Sequence, residues 1–443
     1  MGKTRVEEDS FGKVELPAEV LYGIHTARTI ENLSFSNKRL HEYPDYVHAL
    51  LTVKKAAALT NVEASVIPKD IGESISNACD QLQSTAYQHH FLIDVLHGGG
   101  GIGTNMNVNE VVAGWINQQW PHHLPVHPIE HVNASQSTSD VCHTAIRIAI
   151  IKSYHFLEKE MEHLHSILQK KIEEFQPVMT IARTCLQDAM SISLSNIFSG
   201  YEAVFSRRTH YLKRAVEELH AVNLGGTVIG SGIGASEIYR SKVVQQLSSL
   251  SGGMGLYHRA NLFDAAQNID DLANVSNELK QLATSFIKFA KDLRLLSSGP
   301  EAGFGEIQLP SVQAGSSFFP GKVNPVVPET LIQCCFQVLG CDRTVQAALE
   351  HGELNLNVFE GAAGINILDS IQFLTRAVRN FATFCVQDLS ANSERCQQLS
   401  QSFIPLIVEM KEKHGYSRVA DRLKKTGYEG LKKWREREYD KTK

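Results

Sequence analysis

Residues 272–296 read Leu-Ala-Asn-Val-Ser-Asn-Glu-Leu-Lys-Gln-Leu-Ala-Thr-Ser-Phe-Ile-Lys-Phe-Ala-Lys-Asp-Leu-Arg-Leu-Leu. Within this stretch Leu272, Val275, Leu279, Leu282, Phe286, Phe289, Leu293 and Leu296 alternate spacings of three and four without a break. Such a heptad seam requires a long helix packed lengthwise on other helices. Gly299-Pro300 then stops it. Further long helices are expected around 139–174, 195–221, 325–350 and 360–390, each rich in Leu, Ile, Ala and charged residues with few internal breakers. The fold class is therefore mainly all-α, with a central bundle of about five long helices. Helices this long are too thin to bury themselves alone, and apolar residues around more than one face favour an oligomer.

Outward from the bundle the pattern changes. Phe11-Gly12-Lys13-Val14-Glu15-Leu16-Pro17 reads as a turn or short hairpin leading into Leu21-Tyr22-Gly23, and residues 45–90 return to helical periodicity. His97-Gly98-Gly99-Gly100-Gly101-Ile102-Gly103 is a loop by composition, and Pro121, Pro125 and Pro128 break the chain before the next long helix. The tail from about 393 is short and charged, ending Asp-Lys-Thr-Lys. These changes divide the chain into 1–136, a hairpin plus helices; 137–392, the long-helix and oligomerisation region; and 393–443, a short helical region.

Composition narrows the function. The 443 residues would ordinarily make about two to four domains. A net charge of -5 and a pI near 6.4 give no basic face for nucleic acid. There is no apolar run of bilayer length and no apolar core of a signal peptide at the N-terminus, so a cytoplasmic protein is expected. The 8 cysteines are scattered without a CxxC pair, which fits reduced thiols. His122, His123, His127 and His131 cluster at a spacing that matches no metal motif, and solvated or hydrogen-bonded roles are expected of them.

The chemistry concentrates in Gly315-Ser316-Ser317-Phe318-Phe319-Pro320-Gly321-Lys322-Val323-Asn324-Pro325. Two hydroxyls precede one ammonium and one amide on a pliable backbone. Such a loop can close over a small anion, and it can carry a serine that takes a proton from carbon while Lys322 holds the resulting charge. Composition alone would equally allow a Gly/Ser surface linker. A second segment, Asn133-Ala134-Ser135-Gln136-Ser137-Thr138-Ser139-Asp140, stands before a long helical pattern. Ser137 and Asp140 have capping-box spacing, and hydroxyls at a helix start suit a carboxylate; an ordinary cap is the plain alternative. In Arg183-Thr184-Cys185-Leu186-Gln187-Asp188-Ala189, Cys185 is a core thiol or a nucleophile, with no activating base evident.

Together these segments resemble the signatures of the aspartase/fumarase superfamily. The 315–325 loop matches the family's Gly-Ser-Ser…Pro…Lys…Asn motif at every fixed position. Ser135-Gln136-Ser137-Thr138 and Asp140, Arg183-Thr184, Thr104-Asn105-Met106-Asn107-Val108-Asn109-Glu110 and Gly225–Gly234 are similar to its other motifs. The resemblance runs from about Thr4 to about Asn392 and is strongest from 292 to 330; Gln313-Ala314-Gly315 and Asn324-Pro325-Val326-Val327-Pro328-Glu329 lean toward the aspartase branch. It implies a three-domain, mainly helical subunit, a homotetramer with a core of about twenty helices, active sites where three subunits meet, and no organic cofactor, and no metal ligands are picked out. The region after 392 is shorter than the family's usual third domain.

The implied reaction is elimination of ammonia from L-aspartate or a close analogue to give fumarate. Ser316 would be the base, acting through an aci-carboxylate. Lys322, Asn324, Ser317, Ser137 and Thr138 would stabilise its charge, each donor contributing about 10²–10³-fold. Ser139, Thr184, Cys185 and Ile102 would meet the substrate, and Glu329 would stand behind the residue at 185. Four positions depart from the pattern: Ile102 replaces Thr, Ser139 replaces Asn, Cys185 replaces His or Gln, and Gly234 replaces Asn. Each removes or shortens a hydrogen-bonding group, at about 1–3 kcal/mol per unpaired partner. The alternatives are a lyase for another substituted carboxylic acid with a less polar leaving group, a fumarate hydratase, and a catalytically silent structural or regulatory oligomer.

Overall fold

The computed structural model describes residues 3–120 and 125–439. The chain opens with an antiparallel hairpin, β1 (Thr4–Asp9) and β2 (Gly12–Pro17), in register from Thr4 opposite Pro17 to Asp9 opposite Gly12. Then come α1 (Ile24–Asn32), α2 (Pro44–Glu63), α3 (Lys69–Gln81), α4 (Ile102–Gln119) and α5 (Thr138–Glu174). A second antiparallel hairpin, β3 (Met179–Thr184) and β4 (Gln187–Ser193), precedes α6 (Leu194–Glu218), α7 (Glu237–Leu250), α8 (Leu262–Gln267), α9 (Asp270–Leu296), α10 (Val326–Glu350) and α11 (Glu360–Phe381). Three helices close the chain: α12 (Ser393–Ser400), α13 (Phe403–His414) and α14 (Tyr416–Tyr439). The protein is thus mainly all-α, and among the described residues no helix is long and apolar enough to cross a membrane.

The five long helices expected from periodicity are α5, α6, α9, α10 and α11. All eight seam residues of α9 are buried, from Leu272 at 0 % to Leu296 at 8 % exposure. Full burial of each such side chain stabilises the fold by about 1.5–3 kcal/mol. Two boundaries differ from expectation. Ile102 does not lie in the glycine loop but opens α4, because the left-handed Gly101 (φ 92°) ends the loop one residue earlier. Helix α11 ends at Phe381 rather than near 390, where a π-helical turn over Ala382–Val386 takes over.

The chain divides into two compact units, Met1–Glu158 with His210–Ala283 and Phe336–Leu374, and Lys159–Thr209 with Thr284–Cys335 and Thr375–Lys443. In the first, Arg147 of α5 donates to Asp271 of α9 from Nε at 2.7 Å and Nη2 at 2.9 Å, and its Nη1 reaches Glu360 of α11. Ser276 and Lys280 of α9 donate to Asp342 of α10 at 2.8 and 2.9 Å. At the end of α4, Trp115 and Trp120 pack edge to face, 5.7 Å apart. The second unit is organised by aromatic rings: Phe205 stacks on Phe286 at 4.5 Å, and Phe289 meets Phe198, Tyr201 and Phe381. Its tail folds into α13 and α14 around Leu406, Met410, Val419 and Leu431, with Trp434 packed on that small core and flanked by Arg418 and Arg422.

Of the histidine cluster, His122 and His123, like Pro121, lie outside the described residues. His127 Nδ1 accepts the N–H groups of Ile129 and Glu130, and His131 Nδ1 accepts that of His127. All eight cysteines are free. Burial pushes the Cys79, Cys335 and Cys385 thiols up to about 12.

Candidate active site

In the loop before α10, Gly315 N–H donates to the Lys322 carbonyl at 2.8 Å, and Asn324 Nδ2 donates to the Gly315 carbonyl at 2.6 Å. These bonds fold residues 315–324 back on themselves. Only glycine fits at 315, since a Cβ there would sit 2.6 Å from the Asn324 nitrogen and 2.7 Å from the Lys322 oxygen. The closure brings the N–H groups of Phe318 and Phe319 onto Ser316 Oγ, at 3.0 and 2.8 Å. An oxygen that accepts two backbone N–H groups is stabilised as it gains negative charge. Lys322 is exposed, its Nζ 5.7 Å from the Phe319 ring centroid, and Ser317 is exposed on the same loop. Glu329, in the first turn of α10, faces Arg294 at 3.2 Å.

The second segment lies in the other unit, at the start of α5. Ser137 N–H donates to Asp140 Oδ1 at 2.8 Å, which is the reciprocal half of a capping box with Asp in place of Glu. Asp140 also accepts Gly225 N–H at 3.0 Å and Thr227 N–H at 3.1 Å, so it ties the glycine-rich 225–234 turn to this helix start. Its burial pushes the carboxyl up to about 6 despite those donors. Ser139, 3 % exposed, donates to the carbonyls of Thr227 and Val228 at 3.1 and 2.9 Å. Thr138 Oγ1 accepts from Asn105 Nδ2 at 3.1 Å. Ile102 is 46 % exposed, and Gly234 stands exposed at φ 87°.

Thr184 and Cys185 occupy the tip of the β3–β4 hairpin. Cys185 and Leu186 both take positive φ, 55° and 62°, the signature of a type I′ turn. The turn holds Cys185 exposed at its apex, so it is not a core thiol. Along β3, Arg183 Nη1 beside the turn and Thr180 Oγ1 further down the strand both bind Glu306, itself completely buried.

The structure thus gathers Ser316, Ser317, Lys322 and Asn324 in one loop, Ser137, Thr138 and Ser139 at one helix start, and Thr184 and Cys185 at one hairpin tip. One residue escaped the sequence reading. Lys54 of α2 is completely buried and donates to Asn105 Oδ1 at 2.7 Å, Asn133 Oδ1 at 2.9 Å and Gln136 Oε1 at 3.0 Å. Its signal in the sequence is faint: a lysine one turn from Leu50 and Ala58 in an apolar stretch. Among the described residues, no group of three or more His, Cys, Asp or Glu is placed to hold a metal ion.

Comparison with known proteins gives the family. A family model described as Lyase matches residues 12–340. The aspartate ammonia-lyase of Bacillus subtilis is 39 % identical over 420 residues, 94 % of this chain and 88 % of that protein. The crystal structure of a fumarate lyase:delta crystallin from Brucella melitensis superposes with a TM-score of 0.93 at 40 % identity, covering 97 % of this chain and 94 % of its own. A class II fumarase from Schistosoma mansoni does so with a TM-score of 0.92 at 30 % identity, covering 98 % and 96 %. The chain belongs to the lyase family of the aspartase/fumarase superfamily. Within that superfamily it falls with the aspartate ammonia-lyase branch.

Proposed function

We propose that the protein eliminates ammonia from L-aspartate, or a close analogue, to give fumarate. The observation that carries this reading is Ser316 Oγ, which accepts the N–H groups of Phe318 and Phe319 in a loop that also presents Lys322 and Asn324. A serine becomes a base only when its alkoxide is strongly stabilised, and these two donors act in that direction, with Lys322 carried on the same loop. Ser316 takes the proton from the carbon next to one carboxylate. The negative charge passes into that carboxylate as an aci-carboxylate, where Lys322, Asn324, Ser317, Ser137 and Thr138 stabilise it. The amine then leaves, with Thr184, Cys185, Ile102 and Ser139 around it, and Glu329 supports the site from α10.

The reading includes a homotetramer in which several subunits contribute to each site. The three-part division at 136 and 392 and a cytoplasmic location belong to the same proposal. A lyase for a different substituted carboxylic acid is the second reading. Ser139 supports it, because its hydroxyl is committed to the Thr227 and Val228 carbonyls, and Ile102 presents an apolar surface where the family carries a hydroxyl.

The test is fumarate formation from L-aspartate, followed by ultraviolet absorbance, for the protein and its Ser316→Ala variant. Turnover that falls by about 10²–10⁴-fold in the variant supports the aspartase reading. An intact oligomer with no turnover of aspartate rejects it in favour of other substituted acids.

A further inference from the structure

Lys54 is an unusual residue to find at 0 % exposure, because a buried ammonium needs compensation. Its three hydrogen bonds all go to neutral amide oxygens, those of Asn105, Asn133 and Gln136. The amides are themselves tied together: Asn105 Nδ2 and Asn109 Nδ2 both donate to Asn133 Oδ1, at 3.0 and 3.2 Å. Asn133 Nδ2 donates to the Gln136 carbonyl at 3.2 Å, and Gln136 Nε2 to those of Val132 and Ala134 at 3.0 Å each. The cluster therefore fixes the whole 132–136 segment that delivers Ser137 and Thr138 to the start of α5.

One bond leaves the cluster toward the candidate site. Asn105 accepts from Lys54 through Oδ1 and donates from Nδ2 to Thr138 Oγ1 at 3.1 Å. A hydroxyl whose oxygen already accepts a bond directs its own hydrogen elsewhere, which makes Thr138 a donor on its remaining side. Polarisation of Asn105 by the ammonium strengthens that bond and so the Thr138 O–H dipole. A buried cation behind a helix N-terminus also adds to a field that already favours an anion there. We propose that Lys54 is a positioning residue for substrate carboxylate binding, acting through Asn105 on the Thr138 hydroxyl. Burial brings the Lys54 ammonium down to about 7, with Cys142, Asp140 and Cys79 the charged or titratable groups around it.

This inference rests on the aspartase reading, so the experiment separates the two. Binding of succinate, a dicarboxylate without a leaving group, is measured by calorimetry alongside aspartate turnover for the full-length protein, Lys54→Met, Thr138→Val and the double variant. Lys54→Met should weaken succinate binding and raise KM roughly tenfold or more, with kcat changed by less than about threefold. In the Thr138→Val background the Lys54 effect should shrink to less than about threefold, because the two act in series. Unchanged binding in folded Lys54→Met, or an equal loss with and without the Thr138 hydroxyl, overturns the proposal. Should Lys54→Met fail to fold, Asn105→Ala, which leaves two amide acceptors on the lysine, is read by the same criteria. A protein that binds succinate and shows the coupling but does not turn over aspartate keeps the positioning role and refutes the parent reading.

Discussion

Ser316, Lys322 and Asn324 could be named as candidates from the sequence because the chemistry proposed for them depends on residue type and short spacing, both visible in one loop. Lys54 was not, because its partners lie 51, 79 and 82 residues away and its burial is decided by helix packing. The four departures at 102, 139, 185 and 234 were visible as letters, but their consequences were not. Ser139, for example, spends its hydroxyl on two carbonyls that no spacing rule points to. If Ile102 and Cys185 retune the pocket away from aspartate, the double reversion Ile102→Thr with Cys185→His should raise kcat/KM for aspartate by about tenfold or more, read from initial rates. No rise would remove both residues from the account of specificity. Asp271 gives a stability prediction at the same scale. Burial pushes its carboxyl up, but the Arg147 guanidinium outweighs that and holds it below the usual range. Its contribution is therefore present above about pH 4 and is lost as pH falls through the lowered folded value. Asp271→Asn should cost about 3–5 kcal/mol in urea unfolding at pH 7, and the gap to the parent protein should narrow in acid.

At the scale of elements, the long helices followed from the sequence because a repeat sustained over six or seven turns has no competing interpretation. The β3–β4 hairpin did not. Its turn is Cys185-Leu186 rather than the Asn-Gly or Asp-Gly that announces a type I′ turn, so the signal for reversal was absent. Two ordinary residues at positive φ are strained, by about 1–2 kcal/mol each. Leu186→Gly should relieve that strain and raise the melting temperature slightly, and a lowered one would show that the exposed leucine has packing partners in the assembly. The 315–324 loop predicts the opposite pattern. Gly315→Ala drives a Cβ into the Asn324 nitrogen and Lys322 oxygen, which opens the loop without touching the helical core. Turnover should fall roughly 10²-fold, as expected for a misplacement near 1 Å, while the melting temperature holds. A cooperative loss of both would mean that the loop is part of the stable framework.

For the whole molecule, the sequence indicated that long helices with apolar residues on several faces need partners. The structure supplies the residues: Phe156, Phe336 and Phe384 are each more than half exposed on or next to α5, α10 and α11. On the homotetramer proposed above, light scattering should give a mass four times the 49.1 kDa of the chain, and a monomer at micromolar concentration would sink the shared-site reading. The C-terminal helices were the least legible part, because their core holds only Leu406, Met410, Val419 and Leu431. That small core has an optical consequence. Of the three tryptophans, Trp115 and Trp120 face each other across 5.7 Å, whereas Trp434 is on α14, packed against His414 with Arg418 and Arg422 over its ring. The edge-to-face pair should dominate the near-ultraviolet circular dichroism, and Trp434 should be the emitter whose colour follows the tail. On a urea ramp the emission should redden before the dichroic bands fade, so that two instruments viewing one cuvette separate the loosening of the last two helices from the loss of the α4 region.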